Sequence, residues 1–264
     1  MKWEELTSPD FAKAVKDTGV CLLAVGCLEK HFDHLPLGTD FLNGQAVCSL
    51  AAEKEPAVVF PPYYFGQIHE ARPFPGTLAI DPILTLKLLG NVCDEIARNG
   101  FAKIIIYNAH GGNTHLLRYF GQSMLAQRKS YVIYIPEWVF PESRQRQWDE
   151  IVGGPISHAD LAETSITMAN YPGMVKMESL KGRKHAALGR LKHLPPGYTP
   201  IWWFADNPDH YHGDATLSDP DKGVRLRDLM VDSLADYIRA VKRDQVTPAL
   251  MKEFYGRCDK LGDV

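Results

Sequence analysis

Two segments of this chain are apolar at successive positions: VCLLAVGC at 20–27 and the KIIIY run inside FAKIIIYNAHGGN at 101–113. Side chains of a strand alternate between its faces, so such a run stays apolar throughout only when both faces are covered. That condition selects a parallel sheet held between helices. The intervening segments have the matching helical signals. Residues 40–55 and 114–129 read as helices, and 8–17 as a short helix capped by Ser8. In 81–100, Asp81 is a helix cap, Pro82 takes the first position and Gly100 is the stop. Residues 57–66 read as a strand running into a loop, and 131–138 as a further strand. Residues 157–172 read as a helix with a capping-box pattern from Ser157 to Asp160. In 223–244, Leu226, Leu229, Met230, Leu234, Ile238 and Val241 share one helical face. The alternation predicts an α/β fold, a three-layer sandwich with a largely parallel sheet and helices on both faces, as one domain over residues 1–264. Ligands in such folds sit at the carboxyl ends of strands. Residues 172–223 are rich in Gly, Pro, His and Trp and lack periodicity, which marks a lid, a binding loop or an interface.

Composition removes several function classes. A net charge of −3 without a long basic run excludes nucleic acid as the main partner. No apolar stretch reaches the roughly 18 residues of a membrane span. The polar, acidic start MKWEELTSPDFAKAV is unlike a secretory leader. Cys21, Cys27, Cys48, Cys93 and Cys258 have no CxxC spacing and read as reduced thiols of a cytoplasmic protein.

Three clusters bear chemistry. LEKHFDHLPLGTD at 28–40 contains Glu29, His31 and Asp40. If the first strand continues, Glu29 and His31 leave it on the same face. Carboxylates with imidazole suit Zn²⁺, Mn²⁺ or Fe²⁺, and they also suit a solvated loop. NAHGGN at 108–113 ends the second apolar run, and Gly111 and Gly112 allow a tight turn or close approach of a ligand. It lacks the Lys and Ser or Thr of a phosphate loop, and no GxSxG nucleophile turn accompanies it. The bland alternative is a strand-to-helix turn with His110 hydrogen-bonded in the core. The third cluster is SHADLAETS, with His158 and Glu163. On one helix these two would be about 140° apart, and a capped helix with Glu163 in solvent is the alternative.

Together the clusters resemble the creatininase (creatinine amidohydrolase) family. GCLEKHFDHLPLGTD is similar to that family's G-S-x-E-Q-H-G-x-H-L-P-L-x-T-D, NAHGGN to N-G-H-G-G-N, and HADLAETS to H-A-x-x-x-E-T-S. FPGT at 74–77 and GDATLSDPDKG at 213–223 extend the resemblance over about residues 20–225. It implies an enzyme with two divalent ions in one site. Carried over by position, Glu29, His31, Asp40 and His110 are metal ligands, with Asp40 bridging. Creatininase has Glu where this chain has Gly112, so one ligand must come from elsewhere, and Glu163 is the candidate. His158 matches a histidine assigned to proton transfer, with Glu163 as its catalytic companion. Gly111, Gly112, Asn113 and Phe32 are the expected substrate contacts. Lys30 and Phe32 replace the family's Gln and Gly, Phe32 adding bulk near the metal. Trp138 and Trp148 are available to close a pocket or to pack at a surface.

Two divalent ions lower the pKa of a water toward neutrality and stabilise charge growing on a carbonyl oxygen. A histidine titrating near neutrality can shuttle the proton to a leaving nitrogen. The expectation is hydrolysis of a small cyclic amide, a formamide or a short peptide-like amide. Sugar-acid isomerisation or cleavage on the same scaffold is the second reading, and a non-catalytic metal-binding protein the third. The resemblance also implies a homo-oligomer, often a hexamer, with the aromatic loop at 198–212 finishing a neighbour's pocket.

Overall fold

The computed structural model describes residues 1–137, 140–154 and 157–260. In chain order the helices are α1 (Ser8–Thr18), α2 (Thr39–Lys54), α3 (Pro82–Arg98), α4 (Asn113–Ser123), α5 (Glu142–Val152), α6 (Leu161–Asn170), α7 (Met177–Leu180), α8 (Trp202–Asp206), α9 (Pro220–Arg243) and α10 (Val246–Cys258). The strands are β1 (Val20–Val25), β2 (Val58–Val59), β3 (Lys103–Asn108) and β4 (Val132–Tyr134). They form one sheet in the order β2-β1-β3-β4, with every pairing parallel.

The two apolar runs are the two central strands, and alternation along them builds two cores. Val20, Leu22 and Ala24 of β1, with Ile105 and Tyr107 of β3, pack beneath α2, α6 and α9. Cys21, Leu23 and Val25, with Ile104 and Ile106, pack against Leu89, Cys93 and Ile96 of α3 and Leu117 and Phe120 of α4. Helices thus cover both faces, which is the expected three-layer arrangement. On α9, all six residues of the predicted apolar stripe are buried. Asp81 caps α3 by accepting from the backbone N–H groups of Ile83 and Leu84.

Three local expectations are corrected. The strand at 57–66 is reduced to Val58–Val59, because Pro61 and Pro62 lack the N–H a ladder needs. Thr7 caps α1, accepting from the Asp10 N–H, and Ser8 is the first helical residue. The predicted helix at 157–172 begins only at Leu161. Asp160 is its cap, its Oδ1 accepting from the Ala162 and Glu163 N–H groups. His158 therefore precedes the helix, and its backbone bridges to His212. Among the described residues no helix is long and apolar enough to cross a membrane.

Candidate metal centre

β1 and β3 are neighbours, with Val25 level with Asn108. The loops that leave their carboxyl ends therefore emerge side by side. β1 stops at Val25, so strand alternation does not aim Glu29 and His31. The loop does so instead. The Glu29 N–H donates to the Leu37 carbonyl, which folds 29–37 back on itself. Asp40 and Glu163 sit in the first turns of α2 and α6, where the helix dipole favours a carboxylate. His110 follows β3.

These side chains converge on neighbouring groups of donor atoms, with Asp40 between Glu29 and His110 on one side and His31 on the other. Asp40 Oδ2 lies 2.9 Å from His110 Nδ1, which is 2.8 Å from Glu29 Oε1. Cys27 Sγ completes that group, 3.1 Å from Asp40 Oδ2 and 3.5 Å from Glu29 Oε1. Asp40 Oδ1 faces the other way, 3.2 Å from His31 Nε2, and His31 Nε2 is 3.7 Å from Glu163 Oε2. Glu29, His31, Asp40 and His110 are all buried. Buried carboxylates crowded onto imidazoles are a costly arrangement unless cations balance them. The donor set of two imidazoles, three carboxylates and a thiol fits divalent transition metals.

The protonation states follow the same logic. Burial alone would raise the Glu29 carboxyl, but the charge of His110 and the hydrogen bonds from His110 and His210 hold it well below the ordinary range. Burial would lower His31, yet Asp40, Glu29 and Glu163 push it up to about 10. His110 is likewise raised, by Cys27, Glu29 and Asp40 against the effect of burial. Without metal, two imidazolium ions supply the positive charge. Glu163 is pushed up to about 8 by burial, with Asp40 and Asp160 adding to the shift.

His158 differs from the neutral-range histidine expected of a proton shuttle. Burial, with the charged His31 beside it, outweighs the pull of Glu29 and lowers it to about 3, so its ring is neutral. Nε2 is 2.9 Å from the Lys30 carbonyl, which can only accept. The proton therefore sits on Nε2, and Nδ1 presents a lone pair 4.0 Å from Glu163 Oε2. The ring packs on His31 with centroids 4.4 Å apart.

Sequence reasoning did not single out His210. It is buried, and its Nε2 is 2.6 Å from Glu29 Oε2. Trp203 Nε1–H donates to His210 Nδ1 at 2.9 Å, which leaves Nε2–H to donate to Glu29. This chain fixes Glu29 with Oε1 turned toward His110. The only signal in the sequence was the histidine density of DHYHGD within the aperiodic segment. Backbone strain concentrates here as well: Phe32, Ala159 and His210 all have φ between 50° and 57°.

A cavity of about 1370 Å³ opens onto this centre, walled by Glu29, His110, His158, Glu163, His210 and Trp203 among others. Gly111 and Gly112 line it. Asn113 and Phe32 do not. Asn113 is fully buried, donating to the Val25 carbonyl and accepting from the Gln67 N–H, so it ties the turn to the sheet. The left-handed backbone at Phe32 turns its ring away from the centre, to stack on Tyr211 at 4.7 Å. Trp148 is buried in the core against Phe140. Trp138 lies outside the described residues.

Comparisons with known proteins agree with the geometry. The family model described as "Creatininase: Creatinine amidohydrolase" matches residues 4–238. The creatinine amidohydrolase of Pseudomonas putida is 26% identical over 257 residues, covering 89% of this chain and 95% of that one. The mycofactocin precursor peptide peptidase of Mycolicibacterium smegmatis is 29% identical over 231 residues, covering 85% and 86%. A solved structure described as "Creatininase Mn" superposes with a TM-score of 0.74 at 22% identity, over 90% of this chain and 97% of that one. A match over nearly the whole chain, on a parallel sheet that gathers these ligands at its strand ends, leaves one assignment: the chain belongs to the creatininase family of metal-dependent hydrolases acting on C–N bonds.

Proposed function

We propose that this chain hydrolyses an amide C–N bond with two divalent ions, zinc, manganese or iron, held by Glu29, His31, Asp40, His110 and Glu163. The observation that carries the reading is Asp40. One of its oxygens faces Glu29 and His110, and the other faces His31. A carboxylate placed between two donor groups is suited to bridging two ions. Such ions supply a Lewis acid for a carbonyl oxygen and an acidified water.

The remaining roles belong to the chain. His158 takes a proton on Nδ1, since Nε2–H is committed to the Lys30 carbonyl, and hands it to the leaving nitrogen. Glu163 Oε2, beside that nitrogen, stabilises the imidazolium that forms. The substrate is a small amide nearer the peptide-like end of the range. The cavity exceeds the roughly 300–1,000 Å³ of ordinary small-molecule sites, and its lining includes Tyr198, Trp202, Trp203 and Arg72. The Mycolicibacterium relative is named for a peptide substrate.

The test is a panel of formamides, lactams, short peptides and sugar acids, run on wild type and His158→Asn. Turnover of an amide by wild type should fall by about 10²–10⁴ in the variant, the usual size of a general acid–base contribution, with metal content unchanged. Turnover of sugar acids alone sinks the amidohydrolase reading, and an active variant sinks the role of His158. The same reading includes a homo-oligomer, a hexamer by the family resemblance, with the loop at 198–212 at a subunit contact. A monomeric mass in light scattering contradicts that part.

A further inference from the structure

The family's carboxylate at the Gly112 position is absent from this chain. A side chain on Gly112 would not restore it on this backbone. Its Cβ would start 2.4 Å from His110 Nε2 and 3.0 Å from Glu70 Oε1. The ring nitrogen that faces Glu29 and Asp40 is the other one, Nδ1. The Glu163 carboxylate lies instead in the group with His31 and His158.

Cys27 stands beside Glu29 and Asp40, at the position that is serine in the family pattern. Its side chain is fully buried. Its sulfur, Glu29 Oε1, Asp40 Oδ2 and a His110 nitrogen lie within 4.8 Å of one another. Adjacent separations in that group run from 2.8 to 3.5 Å. Tetrahedral zinc with bonds of about 2.0–2.3 Å spaces its donors by roughly 3.3–3.6 Å, so small movements close the shell. The other cysteines do not reach the centre: Cys21 and Cys93 lie in the core on the α3 side of the sheet, Cys48 in the core on the α2 side, and Cys258 is exposed.

We propose that Cys27 is a metal ligand, its sulfur joining Glu29, Asp40 and His110 in a four-donor, zinc-selective half of the centre. The proposal rests on the metal reading above. As the sulfur–metal bond forms, the thiol proton leaves to solvent, and nothing is oxidised or reduced. Thiolate favours zinc over manganese, whereas His31, Asp40 and Glu163 are three N and O donors that accept either and leave a position open. The two halves therefore differ: one is closed and soft, and the other is open and hard.

The experiment uses full-length protein carrying Cys258→Ser, stripped by chelation and reloaded with cobalt. A sulfur-to-cobalt charge-transfer absorption in the near ultraviolet is expected, and it should vanish in the further variant Cys27→Ser. In the same pair, zinc-over-manganese preference should fall at least as far as the roughly 10- to 100-fold that loss of an outer-shell partner costs. Two cobalt ions bound without that absorption overturn the proposal and spare the metal reading. Absorption that persists in Cys27→Ser overturns it too. Failure to bind cobalt at all overturns both. If Cys27→Ser does not fold, cadmium NMR of the parent protein decides, because sulfur ligation shifts one cadmium signal away from the other and its absence refutes the ligand.

Discussion

His34 is buried beside the centre, its Nε2 2.8 Å from Thr164 Oγ1 and its Nδ1 without a hydrogen-bond partner. Burial, with charged His31 three residues away, lowers it to about 4. The sign follows from linkage. In an unfolded chain this imidazole titrates near 6.5, so between pH 6.5 and 4 the unfolded state binds the extra proton. Stability is therefore lost as pH falls through that window and levels off below it. The loss is up to about 3 kcal/mol from this residue. Urea unfolding of chelated protein between pH 7 and 4 should be less pH-dependent in His34→Gln than in wild type, and identical slopes would refute the assignment. At this scale the sequence was legible for residues inside the family motifs and silent on His210. Its contact with Glu29 spans 181 positions, and no local period reports a contact of that range.

The helices were legible where patterning and caps agree, as in α3 and α9, and less so where function bends the backbone. The segment before α6 looked helical because its composition is helical. The left-handed residue Ala159 and the Asp160 cap instead start the helix at Leu161, and this sets His158 facing the centre rather than on a helical face. The contact of α6 with α9 is close enough to exclude any side chain at Gly223, where a Cβ would fall 1.8 Å from the Ser165 carbonyl oxygen. That oxygen belongs to helix backbone and cannot swing away. Gly223→Ala should cost at least about 3 kcal/mol, the upper part of the overpacking range, despite the better helix propensity of alanine. Because α6 also carries Glu163, metal affinity should fall with it. A urea midpoint equal to wild type would show that the two helices separate easily.

At the scale of the whole molecule, the centre joins segments drawn from residues 27–40, 110, 158–163 and 210, so binding metal should stabilise the entire fold. Each site filled at 100-fold excess over its dissociation constant adds about 2.7 kcal/mol, or roughly 5–11 °C in unfolding temperature. Differential scanning with chelator, zinc and manganese measures this directly, and no shift with any metal would contradict a metal centre in the native state. The sequence by itself determined the layers and the ligand types. A strand apolar on both faces has to be covered twice, and carboxylate with imidazole beside a strand end is intelligible from local pattern. Only the tertiary structure decided how the donors divide. It turned one Asp40 oxygen toward His110 and the other toward His31, brought Cys27 beside Glu29 and Asp40, and withdrew Phe32 and Asn113 into packing. Those outcomes depend on distances between chain-remote atoms and on which way a loop backbone turns, which residue spacing does not encode.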